Sequence, residues 1–97
     1  MVLVESYWSV FRLTSLGVPT VGLMGRELSD AHVGLLRDAG VERVGLMLDG
    51  DAPGRAATAK MLPDLAPNFF VKHLELSAGM KPHSAPEDVV RTMVGRL

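Results

Sequence analysis

Three acidic residues stand out by type and spacing. Glu5 directly follows the apolar run Met1 to Val4, and Asp49 and Asp51, separated by Gly50, directly follow the aliphatic run Arg43 to Leu48. Residues two apart in an extended segment project to the same side, so the two aspartates can face one ion, and Gly50 lets the backbone turn tightly between them. Magnesium takes oxygen ligands and usually keeps several waters, so one or two carboxylates plus substrate phosphates make a typical site. Such a site supports phosphoryl transfer: one cation activates a hydroxyl or water, another stabilises the leaving oxygen, and a carboxylate relays a proton. Glu5, standing apart from the pair, is the candidate base. The plainer reading is a turn and a helix N-cap, a common use of Asp-Gly-Asp at a strand end. What favours chemistry is the occurrence of acids at two strand ends in one short chain.

The elements that must position these acids alternate in type. Met1 to Val4 reads as a buried strand. Tyr7 to Leu16 repeats Trp8, Val10, Phe11, Leu13 and Leu16 at helical spacing and is ended by Gly17 and Pro19. Thr20 to Met24 is a second strand. Ser29 and Asp30 offer N-cap chemistry to a second helix closed by Gly40. After the strand Arg43 to Leu48, Pro53 and an alanine-rich stretch to Leu65 form a third helix. Asn68 to Leu76 reads as the fourth strand and Ser77 to His83 as a loop. Ser84 and Glu87 have capping-box spacing before a short fourth helix. This alternation predicts an α/β fold with a four-stranded parallel sheet and helices on both faces. Ligands of such sheets sit outside the carboxyl ends of the strands, where both acidic clusters fall. If strands one and three are neighbours, roughly 4.8 Å apart, Glu5 can approach the ion held by the aspartates.

Ninety-seven residues suffice for one domain, 1–97, with a single core. The abrupt start, with almost no lead-in before Glu5, suggests a piece of a larger protein. The absence of cysteine excludes disulfides and thiolate metal sites and suits a reducing, cytoplasmic setting. No apolar run approaches the ~20 residues of a membrane span. A net charge of -1 argues against holding nucleic acid by bulk electrostatics, so any such contact must be local or borrowed from a neighbouring domain.

The same residues resemble a known family. Val4-Glu5-Ser6-Tyr7-Trp8-Ser9-Val10 is similar to the opening V-E-G-Y-x-D-V of primase-like Toprim domains, and Gly17 to Gly25 is similar to their G-x-x-x-V-A-x-x-G segment. Leu48 to Ala57 resembles the D-G-D-x-A-G-R-x-A-A signature, with order and spacing matching across roughly the whole chain. The resemblance implies a Rossmann-like sheet, magnesium or manganese as cofactor, and action on nucleic-acid phosphodiesters or nucleoside triphosphates. By position it gives Glu5 a general acid/base role and Asp49 and Asp51 metal-binding roles. Its primase-like (DnaG-type) branch fits best, on the tyrosine after the glutamate and the Gly-Arg after the aspartates.

The departures are specific. Ser6 replaces a usual glycine, Ser9 a common acid, and Arg26 a small hydroxyl residue. In Gly79-Met80-Lys81-Pro82-His83, Lys81 replaces the aspartate of a G-x-D-P-D segment that contributes to an additional metal site in primases. Lys81 could meet a phosphate directly, mark a site with fewer metals, or be an exposed loop lysine. Arg55 could contact a phosphate or cover its helix with its stem. His32, His73 and His83 form no ligand cluster and suit surface or capping roles. Trp8 and the six methionines read as core filler rather than as an interaction surface, the alternative for Trp8 being a partly exposed ring beside Glu5 that could stack on a base.

The expectation is a magnesium-binding Toprim domain of a primase-like nucleotidyltransferase from replication or a mobile element. Glu5, Asp49 and Asp51 hold metal, and Arg55 and Lys81 meet phosphate or nucleic acid. Nucleic acid and nucleoside triphosphates would be met through flanking domains, and the isolated domain would not make primers. The alternatives are a metal-dependent nuclease of the overcoming-lysogenization type, in which water replaces the sugar hydroxyl, and a non-catalytic binding module derived from the same fold.

Overall fold

The computed structural model describes residues 1–97. Four strands, β1 (Val2–Val4), β2 (Thr20–Gly22), β3 (Arg43–Leu46) and β4 (Phe70–His73), alternate with helices α1 (Tyr7–Ser15), α2 (Asp30–Asp38), α3 (Ala52–Leu65) and α4 (Glu87–Val94). They form one parallel sheet in the order β2-β1-β3-β4. The expected α/β architecture, a parallel sheet with helices on both faces, is what the chain adopts.

The two faces follow from strand periodicity. Along β1, Leu3 points to one side and Val2 and Val4 to the other; along β3 and its extension, Val44 and Leu46 oppose Met47. Leu3, Val44 and Leu46 pack with Leu36 of α2 and with Ala57, Met61 and Leu65 of α3. Val2, Val4 and Met47 pack with Leu13 of α1 and Val90 of α4. Chain direction explains this division. The β1 to β2 connection runs one way along the sheet and the next two run the other way, so a single hand of crossover puts α1 opposite α2 and α3. Helix α4 then fills the face beside α1.

Regular pairing is shorter than the apolar runs. β2 ends at Gly22, before the expected Met24, because the chain turns there: Met24 has φ 55° and Gly25 φ 145°. β3 ends at Leu46 although Met47 and Leu48 stay buried, and β4 keeps only the middle of Asn68 to Leu76. Single hydrogen bonds carry the ladder beyond these ends, from Met47 N–H to the Leu3 carbonyl at 3.0 Å and from Leu74 N–H to the Leu46 carbonyl at 2.8 Å.

Two local expectations are corrected. The Ser84 and Glu87 capping box does not form: the N-cap of α4 is Pro86, with no side-chain cap. Ser84 lies two residues too early, and its hydroxyl accepts the Lys81 N–H within the preceding turn at 3.0 Å. Glu87 instead faces Arg91 one turn on, at 3.3 Å. Nor is Trp8 core filler. It is 69% exposed, beside Tyr7 at 64% and Phe11 at 61%, while α1 buries Ser9 and Leu13. At 100° per residue Phe11 lies 200° around the helix from Leu13, so only one of them can face the sheet. The three rings form an exposed cluster, Tyr7 stacked on Phe11 at 6.5 Å and Trp8 edge-on to it at 6.2 Å.

Helix α3 approaches the end of β3 closely enough to dictate a glycine. A Cβ on Gly54 would strike the Asp49 carbonyl, whereas one on Gly34, in α2, would meet nothing within 4 Å. Gly54→Ala is therefore expected to cost about 1–3 kcal/mol through overpacking. Gly34→Ala should gain about 0.5–1 kcal/mol by restricting the unfolded chain. Urea unfolding of both variants measures the difference, and similar values for the two would show that the close approach at Gly54 is not rigid.

Candidate metal centre

The acidic edge begins with two neighbouring strands. β1 lies between β2 and β3, so the chain leaves its carboxyl end in one direction while β3 starts the other half of the sheet. Glu5 follows β1 at this switch point and Asp49 follows the buried extension of β3. The condition for bringing Glu5 to the aspartates, adjacency of strands one and three, is met.

Each carboxylate has one oxygen engaged within the protein and one without a partner. Glu5 Oε2 lies 3.7 Å from Arg26 Nε, and Oε1 is buried with no hydrogen bond. Asp49 Oδ2 lies 3.9 Å from Lys81 Nζ, leaving Oδ1. Asp51 Oδ1 accepts the Gly54 N–H at 2.7 Å as the N-cap of α3, leaving Oδ2. The turn-and-cap reading of Asp-Gly-Asp is thus realised in Asp51 and uses only half of its carboxylate. The three acids share one edge without closing into a set of three metal ligands.

The surroundings of Glu5 are electrostatically uneven. Its side chain is 11% exposed. Burial pushes its carboxyl above the ordinary value, and the charges of Asp49 and Asp51 push the same way. The Asp49 backbone amide and the Arg26 guanidinium pull it down. That amide faces Glu5 without a hydrogen bond of good geometry, since Oε1 has no partner.

Several positions singled out by the sequence acquire local reasons. Ser6 is the N-cap of α1, its hydroxyl accepting the Ser9 N–H at 3.4 Å, a bond a glycine could not provide. Ser9 is fully buried, with its hydroxyl 3.4 Å from His83 Nδ1. Arg12 donates to the carbonyls of His83 and Ala85, at 3.2 Å each, and so ties α1 to the loop before α4. His32 completes a capping box with Ser29 at the start of α2. Arg55 has neither an ion-pair nor a hydrogen-bond partner for its side chain. It lines a shallow depression with Glu75, Leu76, Ser77 and Ala78.

Arg26 is the residue at the acidic edge that sequence reasoning missed as a partner of Glu5. Its place depends on the β2 turn, where the Gly25 N–H donates to the Glu5 carbonyl at 3.0 Å and carries the next residue back over the acid. Arg26 also borders an open cleft of about 590 Å³ lined in part by Met24, Gly25, Glu27 and His32. The unusual basic residue after Gly25 was the available signal.

Comparison with known proteins fixes the class. The Toprim-like family profile matches residues 2–84. The chain belongs to the Toprim-like family. Within it, this Toprim domain is 46% identical over 66 residues to the DNA primase of Mycoplasma pneumoniae, an overlap of 65% of this chain and 11% of that protein. It superposes on the Aquifex aeolicus primase, zinc-binding and RNA polymerase domains, with a TM-score of 0.83 at 27% identity, covering 98% of this chain and 25% of that one. A DNA primase domain from Pseudomonas aeruginosa gives 0.84 at 28% identity, over 99% and 32% of the two chains. The Toprim domain is therefore primase-like (DnaG-type), and it spans about a tenth of the curated primase it matches. No helix in it is long and apolar enough to cross a membrane.

The raised Glu5 carboxyl fixes the sign of a pH effect. Folding favours its protonated form, so its contribution is fully present below the unfolded value, near 4.5, and is lost as pH rises through the higher folded value. Glu5→Gln cannot ionise. In chelator-treated buffer its stability relative to wild type should increase from pH 4 to pH 7, as read by urea unfolding at both. A difference that does not change with pH would refute the buried-charge account.

Proposed function

We propose that this chain is the magnesium- or manganese-binding catalytic Toprim domain of a primase-like nucleic-acid enzyme, working in nucleotidyl or phosphoryl transfer on DNA or RNA. The observation that carries the reading is the set of three free carboxylate oxygens, Glu5 Oε1, Asp49 Oδ1 and Asp51 Oδ2, at the switch point of a parallel sheet. A buried, partnerless carboxylate oxygen such as Glu5 Oε1 is stabilised by a cation or by a water of its shell. An all-oxygen donor set without cysteine or a histidine cluster suits a hard divalent ion, which takes few protein ligands and completes its shell with water and phosphate.

In this reading Asp49 and Asp51 hold the ion, and Asp51 does so while capping α3, which fixes its free oxygen in direction. A bound divalent ion would supply Lewis-acid stabilisation of charge on phosphate oxygens. Glu5 contributes to metal holding and also accepts or returns a proton, since its surroundings keep the neutral form closer to hand than for an exposed carboxylate. Arg26 restrains Glu5 Oε2 and orients Oε1. Arg55, free of protein partners, and Lys81 offer donors for phosphate. Nucleic acid and nucleoside triphosphate are the substrates proposed by analogy with the primases this chain resembles, and template binding falls to other regions of a larger enzyme.

The test is titration of Mg²⁺ and Mn²⁺ by calorimetry into wild type and into the double variant Asp49→Asn, Asp51→Asn. Asparagine caps helices as well as aspartate does, so the double variant should stay folded with stability changed by less than about 1 kcal/mol. Saturable binding by wild type, lost in the folded variant, is expected. Wild type that binds no divalent ion, alone or with a nucleoside triphosphate present, would overturn the metal reading in favour of a non-catalytic module.

A further inference from the structure

The loop Ser77 to Ser84 is fastened to the acidic turn. Gly50 N–H donates to the Met80 carbonyl at 2.7 Å, and Gly79 N–H returns a bond to the Gly50 carbonyl at 2.8 Å. The two backbones approach so closely that a Cβ on Gly50 would strike the Ser77 carbonyl. On the far side of Lys81, Pro82 is fully buried, and Ser84 and Ala85 donate their amides to the Lys81 carbonyl at 3.0 and 2.9 Å. The Ser84 hydroxyl closes the turn onto Lys81 N–H. The backbone of Lys81 is thus held on both sides, which is more constraint than an ordinary loop lysine carries. Its ammonium lies 3.9 Å from Asp49 Oδ2 with the side chain 52% exposed. An ion pair this open adds little to stability. Its consequence is the placement of a positive charge.

Local charge sets how many ions the edge accepts. Glu5, Asp49 and Asp51 carry three negative charges, and the paired Arg26 and Lys81 return two positive ones, leaving a net charge of minus one. One divalent cation turns this into a single positive charge that suits an incoming phosphate. A second would add two more positive charges beside the Lys81 ammonium, with no further carboxylate among the three acids to offset them.

We propose that Lys81 stands in for a divalent cation: the edge takes one Mg²⁺ or Mn²⁺, and the Lys81 ammonium meets the triphosphate oxygen that a second ion would otherwise hold. This rests on the reading of Glu5, Asp49 and Asp51 as metal ligands. Lysine suits the task because it is a compact point charge with three donors on a long stem, able to swing from Asp49 to a phosphate without backbone movement.

The test uses the 97-residue chain, with folding of each variant checked by circular dichroism. Mn²⁺ alone is titrated by calorimetry and by electron spin resonance into wild type, Lys81→Met and Lys81→Asp. Wild type should bind one ion. Lys81→Met should bind one ion on the order of tenfold more tightly, the size expected on removing a unit charge roughly 6 Å from a divalent ion in a largely aqueous dielectric. Lys81→Asp should bind two, with the line broadening of paired manganese. Preformed Mn²⁺-triphosphate should bind more weakly to Lys81→Met than to wild type, so that metal and phosphate affinities move in opposite directions. Two ions in wild type, or unchanged titrations in both variants, would overturn the proposal while leaving the metal reading intact. Absence of Mn²⁺ binding in wild type and in every variant, with or without triphosphate, would overturn the metal reading and this proposal with it.

Discussion

Gly45 donates its amide to the Met1 carbonyl at 2.9 Å, and Met47 donates to Leu3 at 3.0 Å. These bonds hold β1 against β3 in the middle of the sheet, and the acidic edge depends on them. Both strands are buried on both faces, so register cannot slip by one residue without moving Leu3 and Val44 out of one apolar layer and Val2 and Met47 out of the other. With register fixed, Glu5 and Asp49 emerge side by side. Burial raises the Glu5 carboxyl most and the nearby Asp49 charge adds to it, and the sheet holds the two acids there regardless.

The edge offsets these charges with local devices. Arg26 arrives through the turn after β2, Lys81 through the loop clamped to Gly50, and the Gly54 amide through the first turn of α3. Three separate connections thus each deliver one positive or hydrogen-bond-donating group to one acid. Two of these groups carry charge, so the domain offsets part of its own acidic edge from within and leaves the rest negative.

Much of this was legible in the sequence. Apolar runs of four to six residues separated by amphipathic stretches fix a parallel α/β sheet, and acids at the ends of the first and third runs place the candidate site at the carboxyl edge. What escaped was information carried by tertiary turns. The partnership of Arg26 with Glu5 requires the positive φ of Met24 and Gly25, which a sequence pattern does not reveal. The use of Ser84 against Lys81 instead of α4 depends on Pro86 occupying the N-cap. Trp8 was misassigned because helical spacing alone cannot say which of two apolar stripes, one through Leu13 or one through Phe11, faces the sheet. The division of labour within Asp51, half cap and half free, was open from sequence only as two competing readings.

The exposed ring cluster on the first two turns of α1 has an optical consequence. Trp8 is the only tryptophan of the chain and stands three residues from Glu5. Its indole is mostly in water in the folded state, so its emission changes little on unfolding and reports poorly on the integrity of the core. The same exposure makes it a sensitive intrinsic probe of anything that covers that face, because a base, a peptide or a neighbouring domain laid over it would shift or quench the emission without any label. The domain therefore carries a fluorophore tuned to encounter rather than to folding.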